Sequence, residues 1–308
     1  MRENVGMHSD LAATLGRFFG KEGVHPSPVA GVHGVRFSKT DRRTKRQWRA
    51  CLAIAAQGCK EVLLGRDITR CTEGSYTATP IPLPVISRIA VASPDQPFLA
   101  LLIDWDPLVV REVAAQIGSP SDEETGRTGS ASRALFSGAP DEDMLEAAVR
   151  LGRVLETPER ARVLGPLIVR ELFYYLLRGP EGAAIRQFVR AGSATHRIAN
   201  AVFTIRTNLH NPVDVGALAK ASGMSRSAFF QHFRDVTAMS PIQYQKRFRL
   251  LEARRLMVDT DETAEGSSSR VGYRSASQFS REYVRMFGVS PRRDKERIKR
   301  VGNGLRQL

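Results

Sequence analysis

The chain has 308 residues, 42% of them hydrophobic, and a formal net charge of +14. That length can bury substantial cores and suggests about two domains, and no apolar run approaches the ~18 residues a membrane helix requires. The N-terminus carries no signal-peptide core, and Cys51, Cys59 and Cys71 are odd in number and lack CxxC spacing, so a disulfide framework, a zinc site and a secreted protein are all disfavoured and a cytoplasmic location is expected.

In chain order, LAATLGRFFG reads as a short amphipathic helix, and GVHPSPVAGVHGV as turns before a strand. His25 and His33 stand without an acidic cluster, so no metal is expected, and no cofactor. From Ala50 to about Asp106, short apolar runs alternate with turn signals: CLAIAAQG, KEVLLGR, GSYTAT, LPVISRIAVAS and PFLALLIDW. Their length and spacing predict an antiparallel barrel or sandwich, with Gly58, Gly65 and Gly74 at hairpin turns. A small barrel can hold one ligand or be filled by its own side chains. The three cysteines read as buried, unreactive thiols, with a redox role left open.

Asp106-Pro107 opens a helix that ends at Gly118. Residues 119–138 are rich in Ser, Gly and Thr without periodicity and read as a flexible loop or linker. Helices follow at about Asp141 to Leu155 and Pro158 to Leu177. The second is apolar nearly all round, which predicts burial within its domain or in a dimer contact. Gly179-Pro180 stops it, Gly182 to Phe188 continues briefly, and a helix over 195–209 places Ile198, Val202, Ile205 and Leu209 on one stripe.

The stretch DVGALAKASGMSRSAFFQHFRDVT then reads as two short helices with a sharp turn at Gly223. Asp214 and Ser225 sit at N-cap positions, and Phe229, Phe233 and Val236 share a buried face. The opposite face carries Arg226, Ser227, Phe230, Gln231 and Arg234, the cationic outer surface of a helix that enters a DNA major groove. Three phenylalanines in five residues leave open that Phe230 belongs to the core. Fifty residues on, Ser225-x-Ser227-x-Phe229-x-x-x-Phe233 returns as Ser275-x-Ser277-x-Phe279-x-x-x-Tyr283, and Ser240-Pro241 returns as Ser290-Pro291. Such repetition marks a duplicated unit. Gly272 answers to Gly223, one residue out of step.

A helix SPIQYQKRFRLLEARRLM joins the two units. Lys246, Arg247, Arg249, Arg254 and Arg255 are spread around it, some for phosphate and others for solvent. In the second unit, DETAEGSSSRVG supplies a poor first helix, because Gly266 and Ser267 to Ser269 are weak helix formers. Replacing Gly266, Ser268 and Ser269 by Ala, Ala and Phe is expected to restore an apolar face there. Ser275 and Gln278 are placed for a capping box. Residues 195–308 hold 21 Lys and Arg against 10 Asp and Glu, whereas residues 1–194 hold 25 against 22. A basic excess confined to one half fits a polyanion partner.

Helix-turn-helix, Ser240-Pro241-x-x-Tyr244, the basic linker helix, GYRSASQFSREYVRMFGVSP and a basic tail together resemble the AraC/XylS family of transcription regulators. GSYTATPIPLPV, ASPDQPFLALLIDWDP and PLIVRELFYYLLRGPEG resemble its subgroup with an AraC-type, cupin-like N-terminus. The resemblance implies a two-domain α+β chain. Residues 1–190 would form a cupin-like antiparallel β-barrel with trailing helices that senses an effector. Residues 195–300 would form an all-α DNA-binding domain of two helix-turn-helix units joined by a linker helix, followed by a basic tail at 301–308. It further implies a sequence-specific regulator of double-stranded DNA, an activator that recruits RNA polymerase, not an enzyme, with a small-molecule effector and a possible homodimer. Carried over residue by residue, base contacts fall to Ser227, Phe230, Gln231, Ser277, Ser280 and Arg281, and phosphate contacts to Arg226, Arg234 and Arg285. A non-specific architectural protein is the alternative, and a cupin-type enzyme a more remote one.

Overall fold

The computed structural model describes residues 2–118 and 133–301. The expected loop over 119–138 lies mostly, and the tail at 301–308 almost wholly, outside the described residues. A helix, α1 (Arg2–Phe18), precedes nine strands: β1 (Gly23–Pro26), β2 (Val32–Phe37), β3 (Thr44–Trp48), β4 (Cys51–Gln57), β5 (Cys59–Leu64), β6 (Asp67–Thr72), β7 (Ser75–Thr79), β8 (Leu83–Val91) and β9 (Phe98–Asp104). After α2 (Pro107–Ile117) comes a short β10 (Phe136–Gly138), then α3 (Glu142–Val154), α4 (Pro158–Arg178) and α5 (Gly182–Arg186). All strand pairings are antiparallel.

The strands form two sheets, in the orders β1-β2-β9-β4-β7-β10 and β3-β8-β5-β6, and not one closed barrel. The reason lies at Gly58. It sits between β4 and β5 at φ 78°, where a Cβ would lie 2.7 Å from the Val91 carbonyl oxygen, so the chain turns a corner there from one sheet into the other. Gly74 (φ 71°) makes the return corner between β6 and β7. Only Gly65 makes a hairpin. With Leu64 paired to Asp67, it opens a two-residue turn at φ 66°.

The run CLAIAA is apolar throughout because β4 is buried on both faces. Leu52 and Ile54 join the core beneath α1, α3 and α4, while Cys51, Ala53 and Ala55 face the second sheet. β9 alternates likewise, with Leu99 and Leu101 toward the helices and Ala100 toward the second sheet. The residues turned inward are small, so the space between the sheets is incompletely filled.

The C-terminal helices are α6 (Ala194–Thr207), α7 (Val215–Ala221), α8 (Arg226–Thr237), α9 (Pro241–Asp259), α10 (Ala264–Arg270), α11 (Ala276–Phe287) and α12 (Pro291–Val301). Ile198, Val202 and Ile205 are buried in α6, as their spacing predicts, and share a core with Phe229, Phe233, Tyr244 and Phe248. The second unit has its own core, in which Leu250, Met257, Tyr273, Phe279 and Tyr283 meet. Tyr244 Oη donates to the Pro82 carbonyl at 2.7 Å, and Lys45 Nζ donates to the Met286 carbonyl, so the sandwich touches both units.

The weak helix does form, as α10, with Thr263 at its N-cap accepting from the Gly266 amide. Its buried pair, however, is Ser267 and Ser268, while Ser269 faces solvent, so a phenylalanine at 269 would restore no apolar face. Ser268 Oγ donates to the Glu265 carbonyl, whereas Ser267 Oγ, in a residue with no exposed surface, is without a hydrogen-bond partner. A buried hydroxyl left unpaired costs about 1–3 kcal/mol. Ser267→Ala is therefore expected to stabilise the second unit by about 1 kcal/mol, read as slower amide exchange over 262–272. Unchanged or faster exchange would contradict it.

Candidate nucleic-acid interface and sensor cavity

Each helix-turn-helix is held by the same local chemistry. In α7, Asp214 caps by accepting from the Ala217 amide, and the helix ends with the Met224 amide donating to the Ala219 carbonyl at 3.0 Å around Gly223 (φ 60°). In α10 the Tyr273 amide donates to the Ser268 carbonyl at 3.0 Å around Gly272 (φ 87°). Both are Schellman closures with glycine in the left-handed position. The two glycines are structural equivalents, and the one-residue offset is simply a longer turn before Ser275.

Ser225 caps α8 through the Ala228 amide, and Ser275 caps α11 through the Gln278 amide. The Gln278 side chain instead bonds Glu282, at 3.2 Å, so the second unit has half of the expected capping box. A complete box occurs two helices earlier, between Ser240 and Gln243 at the start of α9.

Phe229 and Phe233 are fully buried in α8, whereas Phe230 is 42% exposed. Phe230 thus lies on the outer face, with Ser227, Gln231, Arg226 and Arg234, all exposed. Gln231 Nε2 donates to Asp235 Oδ1 at 2.8 Å, one turn along. On α11, Phe279 and Tyr283 are buried while Ser277, Ser280, Arg281 and Arg285 are exposed. Arg226, Arg234, Arg281 and Arg285 make no hydrogen bond or ion pair among the described residues. Each recognition helix therefore presents uncompensated positive charge beside hydrogen-bonding side chains, which suits phosphate and base edges.

The cations of α9 divide differently from the mixture expected of them. Lys246 pairs with Glu282 at 2.7 Å, Arg254 with the buried Asp294 at 2.8 Å, and Arg255 with Glu252 at 2.7 Å. Arg249 donates to the Leu209, His210 and Gly272 carbonyls, tying the loop after α6 to the second turn. Arg247 alone among the five is left without a hydrogen-bonding or ion-pair partner among the described residues.

Between the sheets lies a cavity of about 370 Å³ that opens against α9 and α12. Phe98, Ala100 and Leu102 line it from one sheet, Trp48 and Lys60 from the other, and Leu251 from α9. Lys60 is 5% exposed, with its Nζ 4.8 Å from the centre of the Trp48 ring. Burial and the nearby Arg46 guanidinium push its ammonium down to about 8. Cys51 and Cys71 line the same space, and burial pushes both thiols up to about 11, which keeps them protonated and poorly nucleophilic. Composition alone did not reveal the cavity. The available signal was a lysine inside an apolar strand, CKEVLL, facing a strand of alanines.

Among the described residues no group of three or more His, Cys, Asp or Glu is placed to hold a metal ion, and no helix is long and apolar enough to cross a membrane.

Residues 28–184 match the family model of the AraC-type transcriptional regulator N-terminus, and residues 218–297 match that of a helix-turn-helix domain. The chain is 28% identical over 106 residues to the HTH-type transcriptional regulator ArgR of Pseudomonas aeruginosa, covering 34% of this chain and 32% of the relative. It is 25% identical over 153 residues to the regulator ExsA of the same organism, covering 50% and 55%. These matches span about a third to a half of the relatives' length. Among solved structures, ToxT of Vibrio cholerae with a bound unsaturated fatty acid shares the fold at a TM-score of 0.59 and 11% identity, over 89% of this chain and 96% of ToxT. ToxT bound to (E)-4-(8-methylnaphthalen-1-yl)but-3-enoic acid aligns at 0.55.

Proposed function

The chain belongs to the AraC-type transcriptional regulators, and from that premise we propose that it reads a specific double-stranded DNA site with α8 and α11, under control of a small molecule held between its two sheets. The observation that carries the reading is the pair of recognition helices whose outer faces hold free arginines, Gln231 and exposed Phe230, opposite fully buried aromatics. Ser227, Phe230, Gln231, Ser277, Ser280 and Arg281 take the base edges. Arg226, Arg234 and Arg285 take phosphates, and Arg247 joins them.

The cavity supports the effector role, because its wall includes Leu251 of α9, the helix that joins the two readers. The organic acids bound by ToxT, which has the same fold, support a small, largely apolar occupant here. Val163, Leu164, Leu167 and Tyr174 are exposed on α4, and an apolar helix face of that kind suits a second copy of the chain. Membership of the family supports a role as an activator that recruits RNA polymerase, with repression the alternative sign of control.

The division near residues 190–195 gives a direct test. A fragment over 190–308 is expected to bind DNA with the site preference of the whole chain and to ignore any effector. A folded fragment that binds no DNA would overturn the division. Binding equally tight to scrambled DNA at the same salt would favour a non-specific architectural protein.

A further inference from the structure

Six cations face the cavity, and five of them are already satisfied. Arg46 pairs with Asp41 at 2.7 Å, Arg49 with Asp104 at 2.9 Å, Arg254 with Asp294 at 2.8 Å, and Arg255 with Glu252 at 2.7 Å. Lys45 donates to the Met286 carbonyl. Lys60 has no acceptor among the described residues, only the face of Trp48. A second donor is open beside it. Arg46 is bidentate by nature, yet its Nε–H is buried without a hydrogen-bond partner although its Nη2 holds Asp41. Both residues are more than nine-tenths buried, at 5% and 7% exposure, and both line the cavity from one sheet, Arg46 on β3 and Lys60 on β5, with β8 between them. The Thr77 hydroxyl, which accepts from Cys71 Sγ at 3.7 Å, lines it from the other sheet with its own hydrogen uncommitted.

A buried ammonium is costly unless it is paired, and an orphaned guanidinium N–H adds to that cost. Much of the remaining wall is apolar, with Val35, Ala53, Ala55, Phe98, Ala100 and Leu251 offering nothing to a charged group, while Thr44, Gln47 and Asp259 also line the space. Two open donors on the wall of one largely apolar cleft suit an acceptor group with more than one oxygen, with an apolar body behind it.

We infer that Lys60 and the Nε–H of Arg46 form the head site for an apolar monocarboxylate, which enters carboxylate first and leaves its hydrocarbon body toward Leu251 of α9. This inference rests on the cavity being the effector's seat. The carboxylate completes the buried pair, and the body fills the gap left by the alanines. Because the head site belongs wholly to the sandwich, ligand recognition is separable from DNA reading. The mouth arginines, each committed to an acid, play no part in holding the head.

Calorimetric titration of the full chain with decanoate and with decanol separates head from body. Wild-type protein is expected to bind decanoate tightly and decanol weakly. Lys60→Met is expected to lose roughly 10- to 100-fold in decanoate affinity, the worth of one charge-assisted bond, while decanol binding stays within about twofold. Retained decanol binding also reports that the variant's cavity is intact. The groups that face Lys60 are Arg46, Asp41, Cys51 and Cys71. Only Lys60 among them titrates near 8, so decanoate affinity is expected to fall about tenfold per pH unit above pH 8 in the wild type and to stay flat in Lys60→Met. Equal decanoate affinity in wild type and variant, or no preference for acid over alcohol, would overturn the head site and leave the cavity's role standing. Failure of both compounds to bind the wild type would overturn the cavity's role as well.

Discussion

Replacing Lys60 by methionine is expected to raise the stability of the ligand-free protein at pH 7 by about 2–3 kcal/mol. Burial and the Arg46 charge hold the Lys60 ammonium near 8 in the folded state, against an ordinary value of 10.5. Below pH 8 the folded chain bears the full cost of a charged, unpaired lysine. Between pH 8 and 10.5 the unfolded chain binds more protons than the folded one, so wild-type stability rises with pH across that window. Each unit of displacement is worth about 1.4 kcal/mol, which sets the scale. Methionine is close in length, apolar, and free of this linkage. Urea unfolding of both proteins at pH 7 and at pH 10.5 checks it: the advantage of Lys60→Met is expected at the lower pH and should shrink at the higher. A variant less stable than wild type at pH 7 would contradict the claim that Lys60 stands unpaired. A residue that costs stability in the empty protein is kept where something else completes it.

The second large effect concerns the readers. Gln231→Ala and Arg281→Ala are each expected to lose about 1–3 kcal/mol on the cognate site and to relax preference at one base pair. Gln231 is held by Asp235 at 2.8 Å, so its amide is already oriented along the exposed face. Arg281 makes no internal contact among the described residues and has its whole guanidinium to offer. Arg234→Ala should weaken all sequences alike and lower the salt slope by about one.

The helix-turn-helix pair was legible because caps, glycine turns and the aromatic spacing are local signals, and the repeat doubled each of them. Phe230 was not. Helical spacing puts it about 60° from Phe233 and about 100° from Phe229, at the edge of the buried face, and only the packing of Tyr244 and Phe248 decides which rings are covered. In the sandwich, the apolar strands β4, β5, β8 and β9 announced themselves, but β3 (TKRQW) and β6 (DITRCT) did not, because edge strands with polar residues lack the alternation that marks a half-buried strand. Closure was misjudged for a related reason. Gly58 and Gly74 look like hairpin glycines, and nothing short of the pairing register shows that they carry the chain between sheets. Ser269 was misplaced because seven residues of α10 make too few turns for periodicity to fix a face. The cavity depends on side-chain volumes facing one another across two sheets, and no single strand reveals that.

The most direct test of the account is the base-preference profile of the purified full chain, obtained by selection from randomised duplex DNA at fixed salt. One enriched site is expected in the wild type, and a loss of preference at different single base pairs in Gln231→Ala and Arg281→Ala, with Arg234→Ala unchanged in profile. No enrichment in the wild type, or profiles that both Gln231→Ala and Arg281→Ala leave intact, would contradict it.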